Sequence, residues 1–103
     1  VKASIADAQK RGIKVNIYLE DWSNGMRHSK AYVFAMLDAL QDEAIMRFML
    51  PDTLGILNPH ETKQFAQEMV ARYPQLHFDF HAHNDYDLAV ANVYEALAVM
   101  ARP

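Results

Sequence analysis

No cysteine occurs in the 103 residues of this chain. That excludes both a disulfide framework and a thiolate metal site. Glycine is scarce, at three residues, and no glycine-rich phosphate loop follows the first strand-like segment. No apolar run approaches the ~20 residues needed to cross a bilayer. No charged-then-apolar leader opens the chain. Positive charge is not in excess either: the net charge of -3 offers no basic surface for nucleic acid or anionic lipid. These absences predict a soluble cytoplasmic protein with neither a nucleic-acid nor a membrane partner. What is present is ordinary for a globular chain, with 51% hydrophobic and 22% charged residues, enough for one small domain. An initiator methionine is also missing. Val1 to Arg11 reads as the tail of a helix closed by Gly12 in a left-handed position, so the chain is expected to be a piece of something longer.

After Gly12 the apolar pattern changes to period two. Val15, Ile17 and Leu19 alternate with Asn16, Tyr18 and Glu20. A loop is predicted over Asp21–Gly25, then a helix capped near Ser29 with Val33, Met36, Leu37 and Leu40 on its buried stripe. A second strand over Ile45–Leu50 places Met46, Phe48 and Leu50 on one face, Arg47 and Met49 on the other. The turn Pro51–Gly55 follows. Asn58, Pro59 and Glu61 announce the next helix by a capping box with proline in the first position. Phe65, Met69, Val70 and Tyr73 form its apolar side, and Pro74 ends it. A third strand runs from Leu76 to Ala82. Leu76, Phe78, Phe80 and Ala82 lie on one side and His77, Asp79, His81 and His83 on the other. A final helix is predicted over 87–101, with Leu88, Val90, Ala91, Leu97 and Met100 as a broad apolar surface.

Helices alternate with strands throughout, which predicts an α/β fold with a parallel sheet. Each strand has one apolar and one conspicuously polar side. In a TIM barrel the first would pack on the outer helices and the second would face the barrel interior, with chemistry at the C-terminal strand ends. Glu20, Thr53, His81 and His83 all fall at such ends. A whole barrel needs roughly 250 residues. The expectation is therefore a single partial catalytic domain over residues 1–103, about three β/α units of a (β/α)8 barrel.

His81 and His83 stand at i and i+2, so both imidazoles can point the same way and grip one divalent ion; the plain alternative is a pair of solvated histidines. His77 lies deeper and is expected to be packed or hydrogen-bonded. Glu20 at a barrel mouth can act as a general base, or simply pair with a neighbouring cation. Thr53 can donate to a substrate carboxylate or cap its own turn. Trp22 can roof a pocket or pack. Asp85 and Asp87 suit the N-terminus of the last helix, and Arg47 pairs most simply with Asp79 on the next strand. His28 and His60 carry no signal above surface histidine.

Leu50-Pro51-Asp52-Thr53-Leu54-Gly55, followed by His81-Ala82-His83-Asn84-Asp85 and Leu88-Ala89-Val90-Ala91-Asn92, resembles the 2-isopropylmalate, homocitrate and citramalate synthases. These group with hydroxymethylglutaryl-CoA lyase and the pyruvate carboxyltransferase domains. Tyr18 to Gly25 and Asn84 to Asp87 look closest to bacterial citramalate synthase; isopropylmalate synthases usually carry glycine where this chain has Tyr86-Asp87. The resemblance implies barrel strands five to seven. It implies His81 and His83 as metal ligands (Zn, Mn or Mg), Tyr18 and Thr53 as contacts to the 2-oxo acid, and Glu20 as an acid–base residue. It implies condensation of acetyl-CoA with a 2-oxo acid, pyruvate or 2-oxoisovalerate, in branched-chain amino-acid biosynthesis, by an enzyme that is a homodimer at full length. The family's first strand supplies an Arg-Asp pair, the Asp being the third metal ligand; neither is assignable here, so the 103 residues alone are expected to be inactive. A related lyase or carboxyltransferase barrel, or a self-contained small α/β metal- or ligand-binding module, are the alternatives.

Overall fold

A computed structural model describes residues 1–101. Its elements are α1 (Lys2–Lys10), β1 (Val15–Tyr18), α2 (Trp22–His28), α3 (Lys30–Leu40), β2 (Ile45–Pro51), α4 (Pro59–Arg72), β3 (Phe78–His81) and α5 (Ala89–Met100). The strands form one parallel sheet in the order β1-β2-β3, as expected when each strand returns through helix. The alternation decides what each sheet face does. Leu19, Phe48, Leu50 and Phe78 are buried in one cluster with Trp22, Met26, Leu37, Phe65 and Met69 from the helices. Each such side chain contributes about 1.5–3 kcal/mol on leaving water. Asn16, Tyr18, Arg47 and His81 lie on the other face and are exposed. Arg47 bonds there to Asp79 across the sheet at 2.8 Å, as its register predicts.

α4 starts as its sequence dictates. Asn58 Oδ1 accepts from the Glu61 N–H at 2.8 Å, and Glu61 Oε1 accepts from the Asn58 N–H at 3.3 Å. A cap of this kind is worth about 1 kcal/mol. Glu61 also takes Arg27 of α2 through both of its oxygens, at 2.6 and 2.8 Å, and the guanidinium holds its carboxyl below the usual carboxylate range. On the outer side, the Tyr73 hydroxyl shares its proton between Asp38 Oδ1 at 2.6 Å and the Phe34 carbonyl at 3.0 Å. Arg72 bonds to Asp38 at 2.9 Å and lies over the Phe34 ring. These contacts clamp α4 to α3.

Several local expectations are overturned. The predicted loop at 21–25 opens a helix instead, α2. Trp22 is buried between Phe65 and Phe80, Ser23 is buried on a carboxylate, and Gly25 sits where an added Cβ would meet Val33 Cγ2 at 2.8 Å. Residues that look loop-forming are there for packing. Met46 does not share the buried face with Phe48. The register steps from Val15↔Ile45 to Asn16↔Arg47, a bulge that leaves one residue unpaired and turns it outward, so Ile45 packs on the core and Met46 is exposed. Met36 and Val90 are likewise exposed. Ser29 occupies the N-cap position of α3 without a side-chain cap bond, and His77 is exposed rather than packed. No helix among the described residues is long and apolar enough to cross a membrane.

Candidate functional site

Parallel strands bring their C-terminal ends to one edge of the sheet. There the chain leaves β1 through Leu19, Glu20 and Asp21, and leaves β2 through Asp52 and Thr53. Thr53 Oγ1 donates to Glu20 Oε1 at 3.1 Å and accepts the Asp21 N–H at 3.0 Å. Asp21 adopts φ 55°, in the left-handed region, and the turn it makes opens α2. Its own carboxylate accepts from Asn24 Nδ2 at 3.1 and 3.2 Å. Glu20 and Thr53, 33 residues apart, are thus one hydrogen-bonded unit on an exposed surface.

His81 ends β3, opposite Pro51 in the register. Its ring lies 5.0 Å from that of His83, nearly parallel, and 6.2 Å from that of Tyr18, edge-on. His83 is not in the strand, which stops at His81. Both imidazoles and Tyr18 are open to solvent. The four residues expected at strand ends, with Tyr18, therefore occupy one edge: Glu20 bonds to Thr53, and Tyr18, His81 and His83 form a row of rings.

The donor set fits a divalent ion in part. Two adjacent exposed imidazoles suit a transition ion, and a catalytic site of this kind takes three protein ligands. Among the described residues no group of three or more His, Asp or Glu side chains comes together to complete one. Asp85, in the loop after β3, lies against Gly55. An added Cβ on Gly55 would meet the Asp85 N and Oδ1 atoms at 2.9 Å, and Gly55 itself has φ 64°. Asp85 and Asp87 lie just before the last helix, and the N–H that opens it finds its partner in Asn84. Asn84 Oδ1 accepts from the Ala89 N–H at 3.1 Å and Asn84 Nδ2 bonds to Asp87, whose φ is 59°. Asn84 does the capping because that left-handed turn brings its side chain over the helix end.

Three residues with large roles at this edge were not singled out as site residues. Asp52 is fully buried and accepts from Ser23 Oγ at 2.7 Å and from the Ile56 and Leu57 N–H groups at 3.1 Å. Its backbone N–H donates to the His81 carbonyl at 2.8 Å. The Leu57 carbonyl in turn accepts from buried Asn92 of α5 at 2.8 Å. The signal available was the pair Asp52-Thr53 itself, since after a strand one of two neighbours must face inward. Nothing in the chain marks Ser23 as its partner.

Comparison with known proteins gives the family. A family model described as HMGL-like matches residues 1–102. Homocitrate synthase of Sulfolobus acidocaldarius is 32% identical over 96 residues, 93% of this chain and 20% of that protein. Homocitrate synthase of Sulfurisphaera tokodaii is 36% identical over 97 residues, 94% of this chain and again 20% of its relative. The Saccharolobus islandicus enzyme of the same name is 35% identical over 97 residues. This chain spans about one fifth of the length of these curated relatives. They carry homocitrate synthase names, whereas residues 18–25 and 84–87 pointed toward citramalate synthase. A match along nearly every residue, over strand ends that gather two histidines, a glutamate and a threonine, shows that the chain belongs to the HMGL-like family.

Proposed function

We propose that these residues form part of the catalytic barrel, strands five to seven, of an enzyme that condenses acetyl-CoA with a 2-oxo acid. The observation that carries this reading is the Glu20–Thr53 unit lying at the same sheet edge as the His81–His83 pair. Support comes from the family and from relatives whose names denote synthesis of homocitrate.

In this reading His81 and His83 supply two ligands to a divalent ion (Zn, Mn or Mg), and the remaining ligand comes from outside residues 1–101. When bound, the ion supplies Lewis-acid polarisation of the 2-oxo carbonyl. Thr53 holds the 2-oxo acid. Its hydroxyl has one proton, now directed to Glu20, and rotating it onto a substrate carboxylate frees Glu20 Oε1 for chemistry. Glu20 takes a proton from the acetyl-CoA methyl group as general base. The resulting carbon nucleophile bonds to the 2-oxo carbonyl carbon as the carbonyl π pair moves onto its oxygen, which takes up a proton. Water then cleaves the thioester, its OH going to the acyl carbon and its H to the departing CoA sulfur. Tyr18, edge-on to His81, forms the side wall against which the acid rests.

The 2-oxo acid is chosen by experiment among three. The resemblance of residues 18–25 brings pyruvate or 2-oxoisovalerate, hence isoleucine or leucine biosynthesis, and the homocitrate relatives bring 2-oxoglutarate. Full-length protein is assayed for free CoA with acetyl-CoA and each acid in turn, with and without a chelator. Metal-dependent CoA release with one of them is expected. Release with none sinks the reading.

A further inference from the structure

We infer that Asp52 is a positioning residue for the Glu20–Thr53 unit: its buried carboxylate joins the start of α2 to the turn after β2 and so sets where Thr53 meets Glu20. A buried aspartate that accepts from N–H groups four and five residues ahead would by itself be a turn cap, of the kind that serves only its own loop. Asp52 does this for Ile56 and Leu57. The long-range bond is different in kind. Ser23 is 29 residues away, and its hydroxyl reaches Asp52 Oδ1 at 2.7 Å in a fully buried setting.

Two parallel bridges result. Ser23 bonds to Asp52, and two residues earlier the Asp21 N–H bonds to Thr53 Oγ1 at 3.0 Å. Between them the chain makes its left-handed turn at Asp21, and Glu20 is delivered onto Thr53 at 3.1 Å. The Asp52 N–H holds the His81 carbonyl, so one residue at the end of β2 touches both the end of β3 and the start of α2. Replacing Asp52 Oδ2 by an amide nitrogen sets a donor against the Leu57 N–H, and the turn that carries Thr53 must move. In a site where reacting groups have to be held closely, a shift of about 1 Å can cost a hundredfold in rate.

Asp52 is defined as positioning here through the condensing-enzyme reading, but its geometry is testable without it. In full-length protein, Ser23→Ala and Asp52→Asn are made alone and in a Thr53→Val background. Each single change is expected to lower kcat for CoA release about tenfold or more while leaving KM for acetyl-CoA within about twofold. In the Thr53→Val background the same changes should cost less than about twofold, because residues acting as one unit are non-additive. Losses that multiply in full would overturn the inference. So would a crystal structure of the Ser23→Ala protein in which Thr53 Oγ1 still lies within hydrogen-bonding distance of Glu20 Oε1. Should Asp52→Asn fail to fold, Ser23→Ala, which removes only one of the three donors, carries both arms. Should wild-type protein release no CoA with any 2-oxo acid, the condensing reading fails and the crystallographic arm alone decides for or against Asp52.

Discussion

Two charged clusters in this molecule follow opposite rules. On the outer side, Asp38, Arg72, Tyr73 and the Phe34 carbonyl satisfy one another, with the guanidinium laid over an aromatic ring. At the strand ends, Asp52 is fully satisfied and buried. One step outward, Glu20 uses one oxygen on Thr53, and the imidazoles of His81 and His83 have ring contacts but no hydrogen-bonded partner among the described residues. The outer cluster fastens helix to helix. The inner one has its buried carboxylate fully bonded underneath and its other polar groups open on top, an arrangement in which bonded support holds exposed groups in place.

Glu20→Gln gives the largest effect by which this contrast can be tested. Full-length activity should fall about a hundredfold or more, with a thermal midpoint close to wild type. A large drop in midpoint would move Glu20 into the fastening class. Gly55→Ala comes next and should register in both properties. It imposes a left-handed conformation on a side-chain-bearing residue and drives a Cβ into Asp85, costing about 2 kcal/mol. Denaturant unfolding measures that loss, and CoA release should fall as the loop carrying His83 moves. Normal stability with normal activity would show that the Gly55–Asp85 approach holds nothing.

Tyr73→Phe should cost about 1 kcal/mol in unfolding and leave catalysis unchanged. Its signature is pH. Burial, and then the bond to Asp38, push the Tyr73 hydroxyl up to about 12 from an ordinary 10.0. A raised pKa stabilises the fold fully below 10.0 and loses that contribution as pH climbs through about 12. The phenylalanine variant should lack this alkaline step. Asp38 runs the other way. Arg72, and then Tyr73, hold its carboxyl below the usual carboxylate range, so its contribution is present above an unfolded value of 3.8 and fades as pH falls through the folded one. Arg72→Met is the smallest change expected in denaturant unfolding, close to no change, because exposed ion pairs contribute little. A larger loss would mean that the ring-stacked guanidinium matters more than its charge.

Legibility in the sequence followed the range of the interaction. The α4 capping box was readable because its partners are three residues apart. The pairing of Arg47 with Asp79 was readable because alternation puts both on the polar face and neighbouring strands do the rest. The strand-end placement of Glu20, Thr53 and His81 came from the same period-two pattern. α2 was hidden because Ser23 and Gly25 look like loop residues until Asp52 and Val33 are brought against them. Met46 was placed on the wrong face because a bulge depends on how β1 and β2 align, not on β2 alone. Asn84 was overlooked as the α5 cap because its reach depends on the left-handed turn at Asp87.

By itself, then, the sequence determined the alternation of helix and strand, the polar and apolar faces of the sheet, and the edge where its chemistry-bearing residues collect. Those follow from backbone periodicity and local hydrogen bonding, which act within a few residues. Only the tertiary structure decided which of those residues touch: Thr53 with Glu20, Ser23 with Asp52, Asp85 with Gly55. Such contacts join positions about thirty residues apart and exist only once three strands share one sheet, because parallel pairing is what carries the ends of distant segments to a common edge.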